Sequence, residues 1–226
     1  MAPAARSFAR IIGILSRFQG GAPKPVTRDP FQLILLEQVA YLATDERRLE
    51  AYRKLEREVG LTPEAIAAAP ASRLTAIARF GGATAAADRA GRMKESAELV
   101  LSRWDGRLRK ALALPLAQAR KALAAFPMIG PPGADRILAA SGTHAVLGLD
   151  SNGLRVLLRL GWGQDSGQYA KSYRSVQEAV APELPAEPRA LDVAAAVLRR
   201  HGQDICRRSA PACEVCPVMT LCEYVK

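Results

Sequence analysis

The chain has 226 residues, enough for one large domain or two small ones that share an interface. Apolar residues make up 49% of it and charged residues 24%, an ordinary globular composition, and the lack of any run of about 18 apolar residues excludes a membrane-spanning segment. The net charge of +10 suits a polyphosphate partner such as a nucleic acid, although charge alone equally fits a merely basic protein surface.

Abundant alanine, few strand-forming residues and only 5% aromatics predict an all-helical protein. The first predicted helix lies within residues 1–18 and carries Phe8, Ile11, Ile12 and Leu15 along one face. The same segment is rich in arginine and free of acids, so an organelle transit peptide is the alternative. No secretory signal is evident, and we expect a cytoplasmic protein of bacterial type.

Capping residues divide the rest of the chain into short helices. Asp29–Pro30 opens an almost wholly apolar helix that we expect to run to residue 43 in the core. Thr44–Asp45 and Thr62–Pro63 open the next two. Further helices are predicted near residues 70–80, 86–104, 115–126, 132–141, 151–160, 166–180 and 188–201. Without strand alternation or an internal repeat, the order predicts an all-α fold that is not a solenoid.

The four cysteines all lie in the last 21 residues, in a C-x6-C-x2-C-x5-C array: Cys206, Cys213, Cys216 and Cys222. Thiolates this close can bind one metal centre, and a reducing compartment disfavours disulfides. Zinc usually takes two C-x2-C pairs, whereas this array has one pair flanked by single cysteines. The spacing therefore favours an iron–sulfur cluster, with zinc as the alternative.

The stretch HGQDICRRSAPACEVCPVMTLCEY resembles the C-terminal cluster loop of the endonuclease III family of DNA glycosylases, which includes adenine DNA glycosylase. The resemblance implies a structural [4Fe-4S] cluster held by the four cysteines. It also implies that the loop between the first two cysteines presents Arg207 and Arg208 to DNA phosphates. Solvated arginines in a loop are the alternative reading of this pair.

Residues 126–140, FPMIGPPGADRILAA, have the pattern helix, tight turn, helix and resemble the helix-hairpin-helix of the same family, here at about 120–140. The resemblance implies phosphate contacts in the turn from Met128, Ile129, Gly130 and Gly133. Where the family core reads Pro-Gly-x-Gly, Met128 replaces the first glycine. Pro131 and Pro132 also lack N–H donors, so we expect an altered phosphate contact.

Asp150 lies 18 residues beyond Pro132, in a segment that resembles the family's Val-Asp-Thr-His motif, whose aspartate is essential. The resemblance implies that Asp150 stabilises an oxocarbenium-like sugar as the base leaves. Capping of the following helix is a compatible role for the same carboxylate. Bifunctional members of the family carry a nucleophilic lysine where this chain has Pro132, so we expect a monofunctional enzyme with water as the nucleophile. A bifunctional glycosylase/lyase and a non-catalytic iron–sulfur DNA-binding protein are the alternatives.

The helix that opens at Asp29 also resembles the early helix of this family, and Glu37 matches the offset of a glutamate in adenine DNA glycosylase. The resemblance implies that Glu37, desolvated among apolar neighbours, protonates a purine. A buried glutamate paired with an arginine is the alternative. Tyr41 and Leu42 lie near the family's residue that fills the gap left by a flipped base, with core packing as their alternative role.

Together the resemblances imply two helical domains: a six-helix barrel-like bundle with the hairpin at residues 29–144, and an iron–sulfur cluster domain made of residues 1–28 and 145–226. We expect a monomer that binds double-stranded DNA with a damaged or mismatched base in a cleft between the domains. The identity of the excised base is open.

Overall fold

The computed structural model describes residues 7–41 and 43–225, and the regular secondary structure in these ranges is all helical, with no strand. The all-helical prediction is therefore confirmed. The chain divides into a continuous unit, Pro25–Ile137, and a split unit, Met1–Lys24 with Leu138–Lys226. The sequence predicted residues 29–144 for the continuous unit. No helix in the described ranges is both long enough and apolar enough to cross a bilayer.

The continuous unit is built around the longest helix, α6. Its helices are α2 (Pro30–Gln38), α3 (Asp45–Glu58), α4 (Pro63–Ala68), α5 (Ala71–Phe80), α6 (Ala86–Trp104), α7 (Arg109–Leu112), α8 (Leu116–Leu123) and α9 (Pro131–Ala140), the last running past the unit boundary. Helices α2, α4 and α5 all pack on α6. The predicted caps begin three of these helices: Asp29 accepts from the amides of α2, and Thr44 and Thr62 accept from those of α3 and α4.

Helix α2 ends at Gln38, so its predicted extension to residue 43 is wrong. The cause is the guanidinium of Arg89 on α6, which is 3% exposed. Its Nη1 donates to the carbonyl of Val39 at 2.8 Å, and the other donors bind the carbonyls of Ala78, Gly82 and Thr84. Because the guanidinium occupies the Val39 carbonyl, the chain leaves the helix there.

Replacing Arg89 by leucine is expected to lower the free energy of unfolding by about 3 kcal/mol, because four carbonyls would lose their donor in a buried site. Denaturant unfolding of the variant measures the loss. Arg79→Leu, at an exposed position on α5, is the control and should change the free energy by less than about 0.5 kcal/mol. Equal effects for the two variants would contradict this role of Arg89.

The split unit joins one N-terminal helix to the C-terminal third of the chain. Its helices are α1 (Phe8–Phe18), α10 (Ser151–Arg159), α11 (Tyr169–Val180) and α12 (Pro188–Asp204), followed by short 3₁₀ turns at Cys213–Val215, Met219–Leu221 and Glu223–Val225. The α1 face is confirmed, with Phe8, Ile11 and Leu15 buried and Ile12 partly buried against the same core. Residues 1–6 lie outside the described ranges.

Helices α10 and α12 lie in close contact in this core. A Cβ on Gly202 would come within 2.7 Å of the Asn152 carbonyl oxygen, so only glycine permits this approach. The contact brings the start of α10, which follows Asp150, against the end of α12 and the cysteine segment beyond it.

Candidate functional site

The four cysteines line a single cavity whose empty space is about 300 Å³. All are free thiols, and all are partly buried. Within the described residues, no three His, Cys, Asp or Glu side chains are grouped so that they could hold a metal ion. Four cysteines beside one cavity are the type of donor set that a [4Fe-4S] cluster takes.

The groups around the cavity are suited to thiolates bound to such a cluster. Burial raises the pKa of the Cys216 and Cys222 thiols, so their thiolates need a cationic partner to persist. Arg159 Nη1 lies 3.4 Å from Cys206 Sγ and can donate to it. His201 Nε2 lies 3.6 Å from Cys216 Sγ, and burial lowers the pKa of His201 to about 4, which keeps the ring neutral. Hydrogen bonds to the sulfurs are among the features that set the reduction potential of bound clusters.

Asp150 caps the N-terminus of α10. Its Oδ1 accepts from the amides of Asn152 at 3.1 Å and Gly153 at 2.8 Å, and its Oδ2 accepts from Asn152 Nδ2 at 3.2 Å. The side chain is 12% exposed. The capping role proposed for Asp150 is confirmed.

Asp150 also forms an ion pair that the sequence did not predict. Arg199 Nη1, on α12, donates to Asp150 Oδ2, and the arginine side chain is 34% exposed. Both carboxylate oxygens therefore have donors, and a positive charge lies against the group expected to meet the sugar.

A chain of hydrogen bonds links Asp150 to the first cysteine. Asn152 donates to Asp150, and its Oδ1 accepts from Arg155 Nη2 at 2.9 Å. Arg155 Nε in turn donates to the carbonyl of Cys206 at 2.8 Å. Sequence reasoning missed Asn152, Arg155 and Arg199. The sequence feature that could have indicated this network is Arg155, which lies one turn into the helix that Asp150 caps.

The hairpin turn has the conformation expected of a glycine-containing turn, although methionine stands in it. Met128 has φ +68° and is 64% exposed, and α9 begins three residues later. Ile129 is buried at 4% exposure, so a contact from it to DNA would use the backbone and not the side chain. Pro131 and Pro132 have no backbone N–H group and cannot donate to a phosphate. Gly130 and Gly133, on either side of them, do have backbone N–H groups.

The early-helix candidates differ from the expected environment. Glu37 is not enclosed by apolar groups: its side chain is 32% exposed, and Oε2 lies 2.8 Å from Arg136 Nη2. The pairing with an arginine that the alternative expected is observed, but the pair is only partly buried. Tyr41 is 45% exposed in a bend beyond α2, so core packing does not explain it. Leu42 lies outside the described residues.

Arg207 and Arg208 are both exposed, in the loop between the first two cysteines. Their backbone carbonyls accept from Arg159 at 2.8 and 3.2 Å, and Arg159 also lies over the ring of Tyr224, 4.3 Å from its centroid. The loop backbone is thereby fixed to α10. The side chain of Arg207 donates to the carbonyl of Ala210 at 3.1 Å.

Three solved structures show a similar fold over nearly the whole chain. A trapped endonuclease III–DNA covalent intermediate is 19% identical, with a TM-score of 0.76 over 98% of each chain. A thermostable thymine-DNA glycosylase is 21% identical, with a TM-score of 0.76 over 96% of each chain. The H. pylori 3-methyladenine DNA glycosylase bound to 1,N6-ethenoadenine is 18% identical, with a TM-score of 0.61 over 88% of this chain and 95% of that one. No protein-family model and no curated protein sequence matches the chain. The chain therefore has the endonuclease III-like helical fold of helix-hairpin-helix glycosylases.

Proposed function

We propose that this protein is a monofunctional DNA glycosylase of base excision repair, which hydrolyses the N-glycosidic bond of a damaged or mismatched base. The observation that carries the proposal is Asp150, an aspartate held by two backbone amides at the start of α10 in a chain with the endonuclease III fold. The net charge of +10 and the exposed Arg207 and Arg208 support double-stranded DNA as the partner.

In this mechanism the duplex presents an extruded nucleotide, and Asp150 faces its deoxyribose. As the glycosidic bond breaks, positive charge develops on the sugar, and the ionised carboxylate stabilises it. The bonding electron pair leaves with the base, water adds to the sugar carbon, and the proton that this water loses passes through solvent to the departed base. The amides of Asn152 and Gly153 fix the carboxylate before the substrate arrives, so no reorganisation of the group is needed. Glu37 is assigned no proton transfer, because its carboxylate is paired with Arg136 and its side chain is 32% exposed.

We propose further that the four cysteines hold a [4Fe-4S] cluster. When bound, the cluster supplies structural cross-linking of the C-terminal segment and takes no part in breaking the glycosidic bond. Arg159 then connects three features of this segment through its contacts with Cys206 Sγ, the Arg207 and Arg208 carbonyls, and the Tyr224 ring. The residues that contact phosphates are thus positioned by the segment that the cysteines organise.

Excision without strand cleavage is the expected activity. Pro132, in the first turn of α9, has no nucleophile that could form a Schiff base with the sugar. Duplexes that each carry one lesion should therefore be cut only after alkali treatment, and borohydride should trap no covalent complex. Cleavage without alkali would instead identify a bifunctional glycosylase/lyase.

A non-catalytic iron–sulfur DNA-binding protein is the second candidate, and the ion pair between Asp150 and Arg199 is the observation that favours it. The same panel separates it from the first proposal, since binding without any alkali-sensitive site is its signature. The panel should include uracil, thymine mismatches, oxidised pyrimidines and alkylated purines, because the sequence leaves the base open.

A further inference from the structure

The ion pair between Arg199 and Asp150 is unexpected at a site that must stabilise a cation. A guanidinium in contact with the carboxylate adds a positive charge next to the sugar on which positive charge develops. If the pair persisted in the complex with DNA, it would offset the effect of Asp150 on the transition state. The arginine therefore needs another anionic partner when DNA is bound.

We infer that Arg199 is a phosphate-binding residue, which transfers from Asp150 to the phosphodiester beside the excised nucleotide. The inference rests on the proposed function, since it places the target sugar at Asp150. Each deoxyribose in a strand is flanked by two phosphates, so a guanidinium that touches the carboxylate facing this sugar lies near both. A phosphodiester accepts hydrogen bonds from a guanidinium as a carboxylate does, often in pairs.

The contacts of the two residues permit this exchange. Asp150 does not depend on Arg199 for its position, because the amides of Asn152 and Gly153 hold Oδ1 while the arginine contacts Oδ2. Arg199 is 34% exposed and has a long flexible side chain, so a short movement of its end can change its partner.

Arg155 is fixed by comparison. Its guanidinium donates to the carbonyls of Gly202 and Cys206 and to Asn152 Oδ1, at 2.7 to 2.9 Å. Burial also lowers the pKa of Arg155, which is partly buried. Arg199 differs from it in contacting the carboxylate itself, and Asp150 keeps its two amide contacts without that pair.

The test is the salt dependence of DNA binding by Arg199→Gln, measured with a duplex that carries a stable tetrahydrofuran abasic-site analogue. Loss of one phosphate contact should weaken binding about 10-fold and reduce the slope of log K against log salt by about 1. Arg199→Lys, which keeps the charge, should retain the slope.

Arg200→Gln is the matched control, since it removes the same charge from the next position of α12, where Arg200 lies 3.6 Å from Asp204 and donates to the carbonyl of Gln19. Its slope should equal that of the wild type, and thermal melting of all variants checks folding. An unchanged slope for Arg199→Gln overturns the inference, whatever the excision rate does. The slope is read from binding alone, so it stays measurable even if the wild type excises no base and the proposed function fails.

Discussion

Replacing Asp150 by asparagine is expected to reduce base excision at least about 100-fold, while binding to an abasic-site duplex stays within about threefold of wild type. Asparagine is as good a helix cap as aspartate, so the amides of Asn152 and Gly153 keep an acceptor and α10 keeps its start. The substitution removes the negative charge that the developing sugar cation needs, together with the ion pair to Arg199. Single-turnover kinetics on the preferred lesion measure the loss.

Asp29→Asn is the matched control for this experiment. Asp29 caps α2 through its Oδ1 and the amides of Phe31 and Gln32, as Asp150 caps α10, yet it has no proposed part in the chemistry. Its variant should excise at the wild-type rate. Normal turnover by Asp150→Asn would remove Asp150 from the catalytic site, and equal losses in both variants would point to helix stability instead.

Replacing Cys222 by serine is expected to abolish the second proposed feature, the iron–sulfur cluster. The wild type, purified under anaerobic conditions, should be coloured and should hold about four irons per chain, whereas the variant should lose most of both. Its C-terminal segment should also become open to proteases, because Cys206, Cys216 and Cys222 pack against the buried core of the split unit. Iron and sulfide analysis, visible absorption and limited proteolysis measure these losses.

Met219→Leu is the control for the cysteine substitution, because Met219 lines the same cavity without a thiol and is replaced by a side chain of similar volume. It should retain iron, colour and protease resistance. Colourless wild-type protein that contains zinc would contradict the cluster while keeping a metal at the cysteines.

Helix starts could be predicted from the sequence, whereas one helix end could not. Asp29, Thr44 and Thr62 act through amides two or three residues away, so their effect is visible locally. The end of α2 is set by Arg89, 50 residues further along the chain, which takes the Val39 carbonyl. The sequence around residue 39 contains no pattern that predicts a contact with a buried guanidinium from another helix.

The candidate site also has features that the local sequence predicts and others that depend on residues far away in the chain. The grouping of the four cysteines could be predicted, because all four lie in one short segment, and in the structure they line one cavity. The apolar surroundings predicted for Glu37 are not observed, because Arg136 contacts it. Arg136 lies 99 residues away in the sequence and comes close only in the folded chain. Arg199 pairs with Asp150 across 49 residues for the same reason. Partners contributed by distant helices are fixed by packing, which one sequence without its structure does not display.

The discontinuous make-up of the split unit has a consequence for synthesis on the ribosome. Helix α1 is translated before the continuous unit, yet Phe8, Ile11 and Leu15 pack in one core with Leu191, Val197 and Val218, which are translated after it. The continuous unit has all its residues by Ile137 and can fold while elongation proceeds. The apolar face of α1 therefore stays exposed until α12 and the cysteine segment have been synthesised. Nascent chains arrested before α12 should consequently show a protected continuous unit and an N-terminal helix that is still open to chaperones and proteases.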